Sequence, residues 1–95
     1  MRVKTHPGEI LKEEFLVPMG MSANALSIAL RVPATRISEI IRGRRGISAE
    51  TALRLARYFG TTPQFWMNLQ QAYDLSLAET SVGESISNEI APHAA

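Results

Sequence analysis

The side chains best suited to chemistry gather between residues 34 and 45. Ala34, Thr35, Ser38 and Glu39 offer methyls, hydroxyls and one carboxylate at helical spacing, with Arg36, Arg42, Arg44 and Arg45 around them. Small polar groups ringed by guanidiniums suit recognition of a polyanion better than bond breaking. A methyl of Ala34 or Thr35 can meet a thymine methyl. Thr35 and Ser38 can hydrogen-bond base edges, and Glu39 can accept from cytosine N4. Arg42, Arg44 and Arg45 suit phosphate, and Arg36 stands close enough to the base-facing side to serve either target.

Two short helices are needed to present this set. Ser22 is a good N-cap, because its hydroxyl can accept an orphan N–H. The spacing of Leu26, Ala29 and Leu30 predicts a helix over residues 23–30. Val32–Pro33 breaks it. A second helix spans about 34–42, with Ile37, Ile40 and Ile41 inward, and Gly43 can close it. Helix, tight turn and helix between residues 22 and 43 have the spacing of a helix-turn-helix, whose second helix enters the major groove. The N–H groups near Ser22 and Ala23 can take a phosphate, and Asn24 can bond one directly. The competing reading is a small bundle whose arginines are a solvated face.

The flanks are helical too. Pro7 can begin a helix over about 8–17, with Ile10, Leu11, Phe15 and Val17 inward, ended by Pro18 and Gly20. Ser48 caps a helix over about 49–58. Thr62–Pro63 starts a fifth, over about 63–78. The predicted fold is all-α, with five helices in a domain over 1–79 and an acidic, partly flexible tail over 80–95. The fifth helix carries more apolar surface than one core contact needs, so Trp66, Tyr73 and Leu77 are candidates for a dimer seam. Packing within the protomer is the alternative for Phe65 or Trp66.

Charge divides along the chain. Residues 21–46 set Arg31, Arg36, Arg42, Arg44 and Arg45 against Glu39 alone, whereas residues 61–95 hold four acids and no Lys or Arg. That polarity fits one anionic partner and a separate second surface. The 95 residues suffice for one domain, and the absence of cysteine excludes disulfides, thiolate metal sites and cysteine nucleophiles. No apolar run approaches a membrane span and the N-terminus lacks a signal-peptide core, so a cytoplasmic protein is expected. His6 and His93 stand at opposite ends, so no metal site is predicted. Ser22, Ser38 and Ser48 lack the setting of a nucleophile. Neither enzyme chemistry, a cofactor nor a small-molecule ligand is expected.

Two stretches carry a family resemblance: PGEILKEEFLVPMGMS, residues 7–22, and VPATRISEIIRGRRGISAETALRLARYFGTTPQFWMNLQQAYDL, residues 32–75. With the helix between them, they resemble the HigA-type antitoxins of bacterial toxin–antitoxin operons, within the Cro/C1 repressor class. The resemblance covers about three quarters of the chain. It implies a homodimer that binds a palindromic double-stranded operator and represses its own operon. It also implies neutralisation of a cognate HigB-type toxin, a small basic RelE-like ribonuclease that cuts messenger RNA. By position, base contacts fall on Ala34, Thr35, Arg36, Ser38 and Glu39. Phosphate contacts fall on Ser22, Asn24, Arg42, Arg44 and Arg45. A stand-alone repressor without a toxin is the alternative. The toxin face could be the N-terminal helix or the acidic tail.

Two positions depart from the class. Arg31 stands where the class often has Gly in a left-handed turn, a conformation costing a non-glycine residue roughly 1–2 kcal/mol. Either the turn differs or a phosphate contact offsets the strain. Ser27 replaces a usual Ala, and its hydroxyl is expected to bond back to the carbonyl four residues earlier.

Overall fold

Caps and breakers set the order of the elements. The computed structural model describes residues 2–94, among which there are five helices and no strand. The outer limits of the predicted segments, Met1 and Ala95, lie outside the described residues.

Helix α1 covers residues 7–19. His6 caps it, its Nδ1 accepting the Gly8 N–H at 2.9 Å. Pro7–Ile10 is α-helical, Leu11–Leu16 widens into a π-helical turn, and Val17–Met19 completes it before Gly20 at φ 60°. Pro18 explains the widening, since it has no N–H to donate and its ring crowds the preceding turn. The Val17 N–H reaches back five residues to the Lys12 carbonyl. Pro18 therefore does not end the helix as expected. The extra residue in the turn also brings Leu16 into the core and leaves Val17 exposed, correcting the predicted inward Val17.

The next three helices start and stop close to where the sequence directs. They are α2, Ala23–Leu30, α3, Ala34–Ile41, and α4, Ala49–Phe59. Ser22 Oγ accepts the Ala25 N–H at 3.0 Å and Ser48 Oγ accepts the Thr51 N–H at 3.3 Å. Arg31 ends α2 at φ 59° and ψ 46°, making it the one non-glycine residue with positive φ among those described. The left-handed turn is thus retained without its glycine. The Val32 N–H closes it onto the Ser27 carbonyl at 3.0 Å.

Helix α5, Pro63–Glu89, does not stop near residue 78. No proline follows until Pro92, and the lone Gly83 costs only about 1 kcal/mol relative to Ala. Thr80 and Ser81 donate their hydroxyls to the carbonyls of Ser76 and Leu77, each at 2.8 Å. These local bonds occupy the polar groups that suggested a frayed tail. The predicted division at residue 80 falls inside this helix.

Leu11, Leu26, Ile37, Ile40, Leu55 and Trp66 are fully buried and join all five helices in one core. Burial of each such side chain contributes about 1.5–3 kcal/mol. The Trp66 ring centroid lies 5.0 Å from that of Phe15 and 6.2 Å from that of Phe59. Its Nε1 donates to Thr61 Oγ1 at 2.8 Å. Trp66 is therefore core, which corrects its predicted place in a dimer seam. Gly8 brings α1 against α3 so closely that a Cβ there would collide with the Ile40 carbonyl oxygen. Further hydrogen bonds tie α5 to the rest, among them Ile47 N–H to Gln70 Oε1 and Lys4 N–H to Ser76 Oγ, both 2.8 Å.

Candidate nucleic-acid interface

Helix α3 is held by one face and free on the other. Ile37 and Ile40 are buried, and Ile41 packs against the core edge. Ala34 and Thr35 are exposed at the first turn, and Ser38 and Glu39 are partly exposed one turn later. The structure thus places four of the predicted base-reading residues, Ala34, Thr35, Ser38 and Glu39, together on an open helix face, with the fifth, Arg36, turned to Glu50 on α4. Ser38 Oγ donates to the Thr35 carbonyl at 3.2 Å, so its oxygen lone pairs stay available as acceptors.

The phosphate candidates lie exposed on the segments that precede and follow α3 in the chain. Arg42, Arg44 and Arg45 are exposed around Gly43, which turns at φ 73°. Asn24 is exposed in the first turn of α2. Ser22 uses its oxygen as the α2 cap, which leaves its hydroxyl hydrogen to donate to an anion. Ser27 is buried and donates to the Asn24 carbonyl, three residues earlier, at 2.6 Å. The expected partner four residues earlier is thus replaced by the nearer one.

Ion pairs brace both ends of α3. Arg45 Nη2 lies 2.9 Å from Glu39 Oε1. Arg36 Nη1 lies 3.2 Å from Glu50 Oε1, and the other oxygen of Glu50 lies 3.2 Å from Arg54 Nη2. Arg54 Nη1 in turn donates to the Leu30 carbonyl at 2.9 Å, at the end of α2. The hydrogen bond and charge of Arg54, followed by the charge of Arg36, hold the Glu50 carboxyl below its ordinary range. Glu50 and Arg54 were absent from the predicted site. Their four-residue spacing on α4 is a readable ion-pair signal, but their reach to Arg36 is not local.

The proposed seam residues separate. Trp66 is core. Tyr73 is partly buried and meets the His6 ring edge-on, with centroids 4.8 Å apart. Leu77 is exposed, but at about 100° per residue it lies around α5 from a different apolar row. That row is Leu75, Val82 and Ile86, all exposed and aligned at spacings of seven and four. Sequence reading put Leu75 inside the fifth helix and Val82 and Ile86 in the tail, so it did not set the three on one helical row.

Among the described residues, no group of three His, Cys, Asp or Glu side chains could hold a metal ion. None of the described helices is long and apolar enough to cross a membrane. The groups on the α3 face can donate, accept and neutralise charge.

Comparison with known proteins agrees with this geometry. A helix-turn-helix family model matches residues 11–66. The virulence-associated protein I of Dichelobacter nodosus is 64% identical over 74 residues, covering 78% of this chain and 68% of that protein. Antitoxin HigA-1 of Vibrio cholerae is 46% identical over 68 residues, covering 72% of this chain and 64% of that one. The Pseudomonas aeruginosa antitoxin HigA, solved with the higBA promoter, is 49% identical and superposes with a TM-score of 0.94, over 98% of this chain and 100% of that one. With its helix-turn-helix core, its five helices and these relatives, the chain belongs to the HigA-type antitoxins of the Cro/C1-type helix-turn-helix class.

Proposed function

We propose that this protein binds, as a homodimer, a palindromic operator in its own promoter and represses its operon, and that it neutralises a cognate mRNA-cleaving toxin. The observation that carries the reading is the open α3 face, with Ala34, Thr35, Ser38 and Glu39 outward and Arg42, Arg44 and Arg45 beside it. The solved relative bound to promoter DNA supports it. Arg36, Ser38, Thr35, Ala34 and Glu39 read bases. Ser22, Asn24, Arg42, Arg44 and Arg45 fix the register on phosphates. Repression is by occupancy and involves no covalent chemistry.

Dimerisation is through α5, where Leu75, Val82 and Ile86 form an exposed apolar row beyond the core. Two-fold symmetry then sets the two α3 helices about 34 Å apart, one turn of DNA. The toxin is a small ribonuclease encoded beside this chain, silenced by steric cover.

The test is a fluorescence-anisotropy titration with the protein's own upstream promoter and with a scrambled duplex, at two salt concentrations. Tight binding to the promoter alone is expected. Arg42→Ala or Arg44→Ala should weaken both duplexes and reduce the salt slope by about 0.9 per lost contact. Thr35→Ala or Ser38→Ala should change sequence preference instead, by about 1 kcal/mol at the contacted base pair. Equal loss on both duplexes in all four variants would remove the assigned division between reading and anchoring. Co-expression with the neighbouring reading frame tests the second activity: rescue of growth and co-purification support it, and failure of both leaves a stand-alone repressor.

A further inference from the structure

Between residues 21 and 57 the chain has seven arginines and only two acids, Glu39 and Glu50. Both acids are engaged, and Glu50 holds two arginines at once, Arg36 and Arg54, each at 3.2 Å. The row of contacts ends on backbone: Arg54 grips the Leu30 carbonyl at 2.9 Å, just before the left-handed Arg31. Arg36 is thereby tied, through one carboxylate and one guanidinium, to the turn that sets α3 against α2. Its side chain is only 26% exposed although it stands in the first turn of a surface helix. Glu50 is 60% exposed and contributes nothing to the core.

An unrestrained arginine at this position has two kinds of target on DNA. Phosphate oxygens attract it from many directions, whereas a base edge requires the planar fork at one place and one angle. A counter-ion that restrains the guanidinium, here through the one Nη1–Oε1 contact, lowers the entropy of finding that angle. The carboxylate also repels phosphate, which disfavours the undirected contact. We infer that Glu50 is a positioning residue for sequence recognition, holding the Arg36 guanidinium at the base-facing edge of α3 and withholding it from the phosphate backbone. This rests on the operator-binding reading above.

The inference predicts changes of opposite sign on two DNAs, which damage to the fold cannot produce. Glu50→Ala should bind a scrambled duplex about threefold more tightly, with the salt slope steeper by about 0.9, because Arg36 now finds a phosphate. The same variant should bind the protein's own promoter more weakly, so that the ratio of the two affinities falls about tenfold. Glu50→Gln, which keeps one acceptor oxygen for Arg36 but replaces the oxygen facing Arg54 with an NH2 donor, should recover part of the ratio. With Arg36→Ala already present, adding Glu50→Ala should leave the ratio unchanged within about twofold, because the partner is gone. Equal weakening on both duplexes, no change on either, or the same loss of ratio in the Arg36→Ala background would each overturn the inference. A parent protein that does not prefer its own promoter would overturn the operator reading instead, and that result appears before any substitution is made.

Discussion

Helices α3 and α5 rest on the same core but present surfaces of opposite kind. The eight residues of α3 show small polar groups whose charged neighbours are each braced by a counter-ion: Glu39 by Arg45, and Arg36 by Glu50. The 27 residues of α5 divide in two. The first part is anchored by Trp66, Gln70 and Ser76, and the second carries Val82 and Ile86 in the open. On the α3 side, Arg36, Glu39 and Arg45 already have ion-pair partners within the protomer, while Arg42 and Arg44 stand exposed. On the α5 side, Leu75, Val82 and Ile86 are left uncovered within the protomer, as the proposed dimer seam requires. The difference follows from the ligand: base edges demand fixed angles, whereas apolar burial is non-directional.

The two halves of α5 give the sharpest way to break that contrast. Trp66→Ala removes a fully enclosed ring and should destabilise the protomer by about 3–5 kcal/mol, read by chemical denaturation. Val82→Ser combined with Ile86→Ser should leave the circular-dichroism spectrum of the folded body nearly intact while sedimentation shifts from dimer to monomer. The double variant should also lose promoter affinity by about 2 kcal/mol or more, since each half-site then binds alone. If it unfolds the protomer instead, the second half of α5 belongs to the body and the contrast fails.

Smaller effects sharpen the other side. Arg31→Gly relieves the left-handed residue at the end of α2 and should raise stability by about 1 kcal/mol. If promoter affinity falls at the same time, Arg31 also contacts phosphate. If affinity is unchanged, the strain is uncompensated. The smallest effect concerns His6. Burial pushes its imidazole below the ordinary value of 6.5, and the charge of Asp74 partly opposes this. The fold therefore prefers the neutral ring, whose Nδ1 accepts the Gly8 N–H. A depressed folded pKa gives stability that is fully present above 6.5 and lost as pH falls through the folded value. The melting temperature should drop slightly with acidification in this range. His6→Asn, which keeps a capping side chain, should flatten the dependence.

Much of the reading surface was legible because its signals are local. Ser22, Ser48 and Thr62–Pro63 mark helix starts by the chemistry of one or two residues, and the structure uses each as an N-cap. Gly43 and Gly60 mark stops in the same way. Ala34, Thr35, Ser38 and Glu39 follow from helical spacing once those ends are set. The misses are of another kind. The π-helical turn before Pro18 depends on how a helix accommodates a missing N–H, and periodicity assumes that the helix stays regular. Trp66 was misplaced because an apolar residue on a wide face has the same signature whether it meets its own core or a partner. The Arg36–Glu50 contact joins residues fourteen apart on different helices, a pairing that only the α3–α4 packing creates. The length of α5 went unread because serines and a glycine suggest a loop, yet the hydroxyls of Thr80 and Ser81 bond within the helix.

Gly8 adds a mechanical consequence. With no side chain between them, α1 and the end of α3 meet through bare backbone at the Ile40 carbonyl. The close-packed contact leaves no room for an added methyl, because the atoms opposite are backbone and have no rotamer by which to move aside. Position 8 therefore sets how closely α1 can approach the helix proposed to face DNA, and any larger residue there would act as a wedge between them.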